Sequence, residues 1–303
     1  MNIRFIRLSA CILLAGCIAG CDKKVSATPP PVTPPADIVV GLKNKLPSLL
    51  KESSGLCLTD GALWSFGDSG NPNSIYRIDS ATGAILQVVT ITNYPNVDWE
   101  DMAADSMYIY VGDTGNNNGD RTDLKILRIK KADIPPAEQQ VNVVAEAINF
   151  SYADQSDLSS NSNTNFDCES LVSIGDNLYI FSKDRGDFQT RCYKLPKAPG
   201  TYKVSPIATF NVDGKVTDAT YNPVTKELAL LGYMDKKLDS FIWFFNNYTE
   251  DNFFNGASKR YTIGNVKTDW QTEGLTYVND KRLLLSCESS TSTAASLYFV
   301  QKP

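Results

Sequence analysis

The sequence predicts an all-β fold: a single β-propeller of five four-stranded blades, closed by a strand from the N-terminal side. Three observations carry this. Five segments repeat one layout, anchored at Ser54, Glu100, Glu169, Asp218 and Glu273. The anchors recur at roughly the length of a propeller blade, about 40–50 residues, with insertions. The last repeat ends at Pro303 without a fourth strand, while the apolar stretch 37–42 has no other use. Pairing the two would close the ring and remove both exposed sheet edges. A sandwich or two separate domains would leave the repeat unexplained. An irregular blade in the loop 154–165 would raise the count to six, so five and six blades both stay open.

In chain order, residues 1–21 read as an export signal. Arg4 and Arg7 precede an apolar run from residue 8 to 19, the layout of a secretory leader. The run is shorter than the ~20 apolar residues a membrane span needs. Leu14-Ala15-Gly16-Cys17 and Ile18-Ala19-Gly20-Cys21 each resemble the lipobox of bacterial lipoproteins, whose cysteine is acylated. Cys21 is favoured because the polar Asp22-Lys23-Lys24 follows it, and Cys17 stays open. The expected location is the bacterial cell envelope, lipid-anchored on the periplasmic or outer face of a membrane. Residues 22–36 carry Pro29, Pro30, Pro31, Pro34 and Pro35 and read as a semi-rigid linker.

The remaining stretch, 37–303, is assigned to the propeller. Each repeat holds a short strand, a turn rich in Asp, Gly or Asn, an apolar second strand, a polar loop and an aromatic third strand. The first is typical: Ser54-Gly55-Leu56, then Leu63-Trp64-Ser65-Phe66, then Ile75-Tyr76-Arg77-Ile78. Such β-branched and aromatic runs between turn residues indicate antiparallel sheets. Fourth strands are expected at 85–92, 141–152, 204–212 and 259–263. The formal charge of −5 without a basic cluster argues against a nucleic acid polymer as partner. The chain has no histidine, which excludes histidine-based triads, histidine-ligated zinc and histidine proton shuttles. Cys57, Cys168, Cys192 and Cys287 are expected as disulfides, with three pairings open, or as buried free thiols.

The first strand of a propeller blade lines the central channel, so matched repeat positions face one axis. They read Ser54, Glu100, Glu169, Asp218 and Glu273, with Asp98, Asp101 and Asp167 close by. Crowded carboxylates raise one another's pKa or recruit a cation. An all-oxygen donor set suits a hard cation, Ca²⁺ above all. Carboxylates that lock blades together by accepting backbone N–H groups are the equally weighted alternative. A second matched set, at the end of the second strand, reads Asp68, Asp113, Lys183, Tyr233 and Glu288, joined by Arg121 and Arg185 in the adjoining loops. Charge that varies between blades at one mouth is what a ligand-binding surface needs, since loops on a rigid scaffold carry function.

Some of these segments resemble a known family. Ser53-Ser54-Gly55-Leu56 with Asp68-Ser69-Gly70, Trp99-Glu100 with Tyr110-Val111-Gly112, and Thr272-Glu273-Gly274-Leu275 with Glu288 look like parts of the calcium-dependent apyrases. Those are five-bladed propellers that hydrolyse nucleoside di- and triphosphates. The resemblance implies Ca²⁺ on Ser54, Glu100, Glu169 and Glu273. Asp218 departs from that pattern, and the basic and tryptophan-rich segments of the apyrase site have no match. The chain is also similar to bacterial exported propeller lipoproteins of unassigned function. The expected function is therefore a membrane-anchored binding module for a small ligand or an envelope protein, with Ca²⁺ in its channel. The alternative is a Ca²⁺-dependent phosphohydrolase.

Overall fold

A computed structural model describes residues 37–234, 239–264 and 270–303. The export signal with Cys17 and Cys21, and the linker to residue 36, lie outside the described residues. Strand β1 (Val39–Lys45) precedes the first blade, which is β2 (Ser53–Thr59), β3 (Ala62–Gly67), β4 (Ser74–Ile78) and β5 (Ile85–Ile91). The second blade opens with β6 (Trp99–Ala104), β7 (Tyr108–Asp113) and β8 (Lys125–Lys130). The chain then crosses back: β9 (Gln140–Val143) pairs in parallel with β5 before β10 (Glu146–Tyr152) completes the second blade. The third blade repeats the device. After β11 (Cys168–Ile174), β12 (Asn177–Ser182) and β13 (Thr190–Pro196), β14 (Gly200–Val204) joins β10 in parallel, and β15 (Pro206–Phe210) finishes the blade. The fourth blade is β16 (Lys215–Asn222), β17 (Glu227–Tyr233), β18 (Ser240–Asn246) and β19 (Ala257–Gly264). The fifth is β20 (Thr272–Asn279), β21 (Arg282–Cys287) and β22 (Ser296–Gln301).

The protein is a five-bladed β-propeller. Strand β1 closes it, running antiparallel to β22 with Val39 opposite Gln301 and Lys45 opposite Ser296. The loop 154–165 holds no blade. The expected strand 141–152 is two strands belonging to different blades, and 204–212 contributes only β15 beyond the end of β14. The break between β8 and β9 has a local cause. Pro135 and Pro136 cannot donate to a ladder, and Gln87 of β5 captures this loop by donating to the carbonyls of Pro135 at 2.8 Å and Glu138 at 2.6 Å.

The core lies between blades, because each inner strand sends alternate side chains to its two neighbours. Leu56 packs with Leu284 and Leu297 of the fifth blade, while Cys57 packs with Met102 and Trp99 of the second. Full burial of such a side chain contributes about 1.5–3 kcal/mol. All four cysteines of the propeller are buried free thiols. Burial pushes the Cys57 and Cys168 thiols up to about 12, so neither is a ready nucleophile.

Every inner strand carries a register irregularity at the same level: Ser54/Leu56, Trp99/Asp101, Cys168/Leu171, Val216/Asp218 and Thr272/Gly274. Gly55 takes this bulge at φ 56, and a Cβ there would meet Phe66 and the Asp101 backbone. Bulges re-aim side chains. Here they set what points at the axis.

Candidate functional site: the channel and its mouth

The bulges fix the alignment of the ring. Leu56, Met102, Leu171, Ala219 and Leu275 pair with Ser65, Val111, Ile180, Leu230 and Leu285. Counting back from these, the matched mouth-side residues are Ser54, Glu100, Glu169, Thr217 and Glu273. The fourth blade therefore supplies Thr217, and Asp218 lies one layer deeper beside Asp101. A shift of one residue moves every side chain of a strand, and the bulge hides that shift from the sequence.

The deeper layer is a hydrogen-bonding device. Asp101 accepts the N–H groups of Met102 and Leu171, both at 2.6 Å, and of Ala219 at 3.5 Å. Asp218 accepts Leu275 N–H at 2.7 Å and is engaged by Leu56 N–H. Two carboxylates thus receive one inward N–H from each of the five blades. Burial raises both well above the usual carboxylate range, and the charge on Asp101 raises Asp218 further. Hydroxyls add blade-to-blade ties, Ser54 to the Glu100 carbonyl at 2.6 Å and Thr217 to the Thr272 carbonyl at 2.7 Å.

The mouth layer is different. A cavity of about 250 Å³ is lined by Ser54, Asp68, Glu100, Asn117, Glu169, Lys183, Arg185, Tyr233, Gln271, Glu273 and Glu288. Asp98 and Asp167 adjoin it, their oxygens within 4.8 Å of those of Glu100. Among the described residues, seven carboxylates therefore face two cations. Lys183 pairs with Glu169, and Arg185 pairs with Asp167 at 2.7 Å. Burial opposes charge on Lys183, but Glu169 and its neighbours hold the ammonium well above its ordinary value. Lys183 also sits 5.3 Å from the centre of the Tyr233 ring.

Glu100 and Glu273 are 5% and 6% exposed, and among the described residues neither carboxylate has a hydrogen-bond donor or ion-pair partner. Burial raises both well above the usual range, with Glu169 adding to it for both. Burial likewise pushes Asp98 up to about 6, helped by Asp68 and Asp167, and Glu288 up to about 7, helped by Asp68.

Asp68, Lys183, Arg185, Tyr233 and Glu288 line the cavity, whereas Asp113 and Arg121 do not. Asp113 is the last residue of β7 and pairs with Trp99 at the level where Gly67 pairs with Ser53 and Cys287 with Thr272, one residue short of the mouth position, which Thr114 takes. Asp113 lies behind it, buried between Arg121 at 2.9 Å and Lys125 at 3.2 Å, and it accepts the Asp98 N–H at 3.2 Å. Arg121 also donates to the Gly115 carbonyl at 2.7 Å. The pair props the loop that carries Asp98. Asp98 and Asp167 show in the sequence as two Asp-x-Glu patterns, Asp98-Trp99-Glu100 and Asp167-Cys168-Glu169.

The far end of the channel opens into a larger cavity of about 430 Å³. Its lining residues include Leu58, Ala104, Ser173, Tyr221, Tyr277 and Val278, with Asp280 as its one carboxylate. Converging charge, not volume, makes the mouth the candidate site.

No family model matches the chain, and no curated protein matches it. Solved structures do. A protein described as a "putative exported protein" from Bacteroides fragilis is 10% identical at a TM-score of 0.43, the match covering 89% of this chain and 97% of that one. Hydrazine synthase from Kuenenia stuttgartiensis is 13% identical at a TM-score of 0.40, with 82% and 58% covered. A chain of the mitotic checkpoint complex is 12% identical at 0.39, with 80% and 60% covered. The chain thus spans under two thirds of the length of these last two.

Proposed function

We propose that this protein is a calcium-binding propeller of the bacterial cell envelope, a binding module whose charged mouth holds Ca²⁺ and through it a ligand. The observation that carries the reading is the imbalance at the mouth among the described residues, seven carboxylates against two cations, with Glu100 and Glu273 buried and without a partner there. Such groups take up protons or a cation. The donors fit: all are carboxylate, hydroxyl or amide oxygens, which suits a hard cation needing six to eight ligands. Export and lipid anchoring at Cys21 or Cys17 belong to the same proposal and rest on the leader sequence.

The test is a thermal melt of the full-length protein with EDTA and with Ca²⁺, measuring phosphate released from ADP or ATP in the same samples. A Ca²⁺-dependent rise without turnover supports the binding module. No shift with Ca²⁺ would overturn it. One observation favours a second reading, a Ca²⁺-dependent phosphohydrolase. Lys183 and Arg185 stand in the same cavity as the unpaired Glu100, so phosphate oxygens would meet cations while Glu100 activates water. Phosphate release that Glu100→Gln abolishes would select this reading.

A further inference from the structure

The carboxylates of the mouth form two triads that share Glu100: Asp68–Asp98–Glu100 and Glu100–Asp167–Glu169. Within each, one oxygen per residue lies within 4.8 Å of the others. We infer that the cation of the mouth sits off the axis, on Asp68, Asp98 and Glu100 at the seam of the first two blades, and that Lys183 stands where a second cation would otherwise bind. This rests on the proposal that the mouth binds Ca²⁺, and assigns its position.

The triads differ in what already neutralises them. The second has its own cations: Lys183 pairs with Glu169, and Arg185 lies 2.7 Å from Asp167 and 3.6 Å from Glu169. The first has no ion pair among the described residues, Arg121 and Lys183 acting on Asp98 and Asp68 only from beyond contact. Its shared member, Glu100, is 5% exposed, faces the cavity and has no donor on either oxygen among the described residues. Charge that burial leaves unpaired in this way calls for a counter-charge from outside.

The first triad is also held in place. Asp98 is pinned through its backbone, its N–H donating to Asp113 at 3.2 Å and its carbonyl accepting Gly115 N–H at 3.1 Å. Asp68 is fixed likewise, its N–H donating to the Glu52 carbonyl at 2.9 Å and its carbonyl accepting Asn96 Nδ2 at 3.0 Å. Gly115 packs against the triad, and a Cβ there would overlap Glu100 Oε1 and Asp98 Oδ2. Only glycine lets the loop close on these oxygens.

The experiment is calorimetric titration of the full-length protein with Ca²⁺, supported by Tb³⁺ luminescence. One ion per chain is expected. Asp98→Asn and Gly115→Ala should each weaken binding at least ~10-fold, the scale of losing a ligand or its support. Glu273→Gln should change it less than ~3-fold while leaving one ion bound. Lys183→Met should raise the count to two. Two ions on the unaltered protein, or a loss with Glu273→Gln matching that with Asp98→Asn, would overturn the assignment. Absence of any Ca²⁺ binding would instead overturn the proposed function.

Discussion

Glu100 and Asp101 are neighbours in sequence and sit in adjacent layers of one channel, yet their surroundings are opposite. Asp101, with Asp218, receives inward N–H groups from all five blades. Glu100, with Glu273, receives none among the described residues, although it is buried almost as deeply. The inner pair supplies the acceptors for a ring of inward N–H groups, and its worth is structural. The outer set is left short of partners, a cost a fold keeps where something else is to bind. Buried acid by itself therefore says little, and the number of donors around it says what it is for.

The comparison breaks first at Asp101. Asp101→Ala leaves three buried N–H groups without an acceptor, a loss of the order of 4 kcal/mol and a melting temperature lower by about 10 °C. The drop should be the same in EDTA and in Ca²⁺. Melts in both media check it, and a drop confined to Ca²⁺ would put Asp101 with the mouth.

Glu100→Gln should do the reverse. Without metal it removes a buried carboxyl crowded by Glu169, Asp68, Asp167 and Asp98. The melting temperature in EDTA should therefore rise by about 3 °C, while the gain of about 5–10 °C expected of the unaltered protein with Ca²⁺ should disappear. A variant equally destabilised in both media would make Glu100 structural.

Acidity sharpens the contrast. Asp98, at about 6, and Glu288, at about 7, are raised above their unfolded values. Below the ordinary carboxylate range both states are protonated and nothing is lost. As pH rises through the interval the folded state retains more protons, so stability falls from about pH 4 to about pH 7 in EDTA. Saturating Ca²⁺ should flatten that fall and bind more tightly as pH rises. Melting curves across this range decide it, and stability rising with pH in EDTA would contradict the mouth's electrostatics.

The smallest expected effect is at Ser54, whose hydroxyl ties the first blade to the second at 2.6 Å. Ser54→Ala should cost about 1 kcal/mol by denaturant unfolding.

The architecture was legible because repetition is legible: five anchors, an unfinished last blade and an unused apolar segment at 37–42 leave little choice. The mouth was legible at Asp68, Lys183, Glu288 and the three ring glutamates, since matched positions share an axis. The register of the fourth blade was not. A bulge between Val216 and Asp218 leaves no trace in residue type, so Asp218 read as a member of the mouth ring although Thr217 holds that place. Asp113 and Arg121 failed for a similar reason: Gly112-Asp113 looks like Gly67-Asp68, but the ladder sets Asp113 level with Gly67, so Thr114 is the match for Asp68. The parallel strands β9 and β14 were invisible because strands of four and five residues do not announce which sheet they join.

Those two strands have a consequence for how the chain is made. The outer edge of the first blade is covered by β9, which is synthesised only after three strands of the second blade, and the second blade's edge waits for β14 from within the third. A nascent chain cut at the repeat boundary before Trp99 would carry β5 as a bare edge, open to pairing with another molecule. The repeats visible in sequence are thus not units of assembly. Three blades are interleaved and mature together, and a library that shuffled single blades of this protein would yield aggregates from the first two and tolerate exchange only at the fourth.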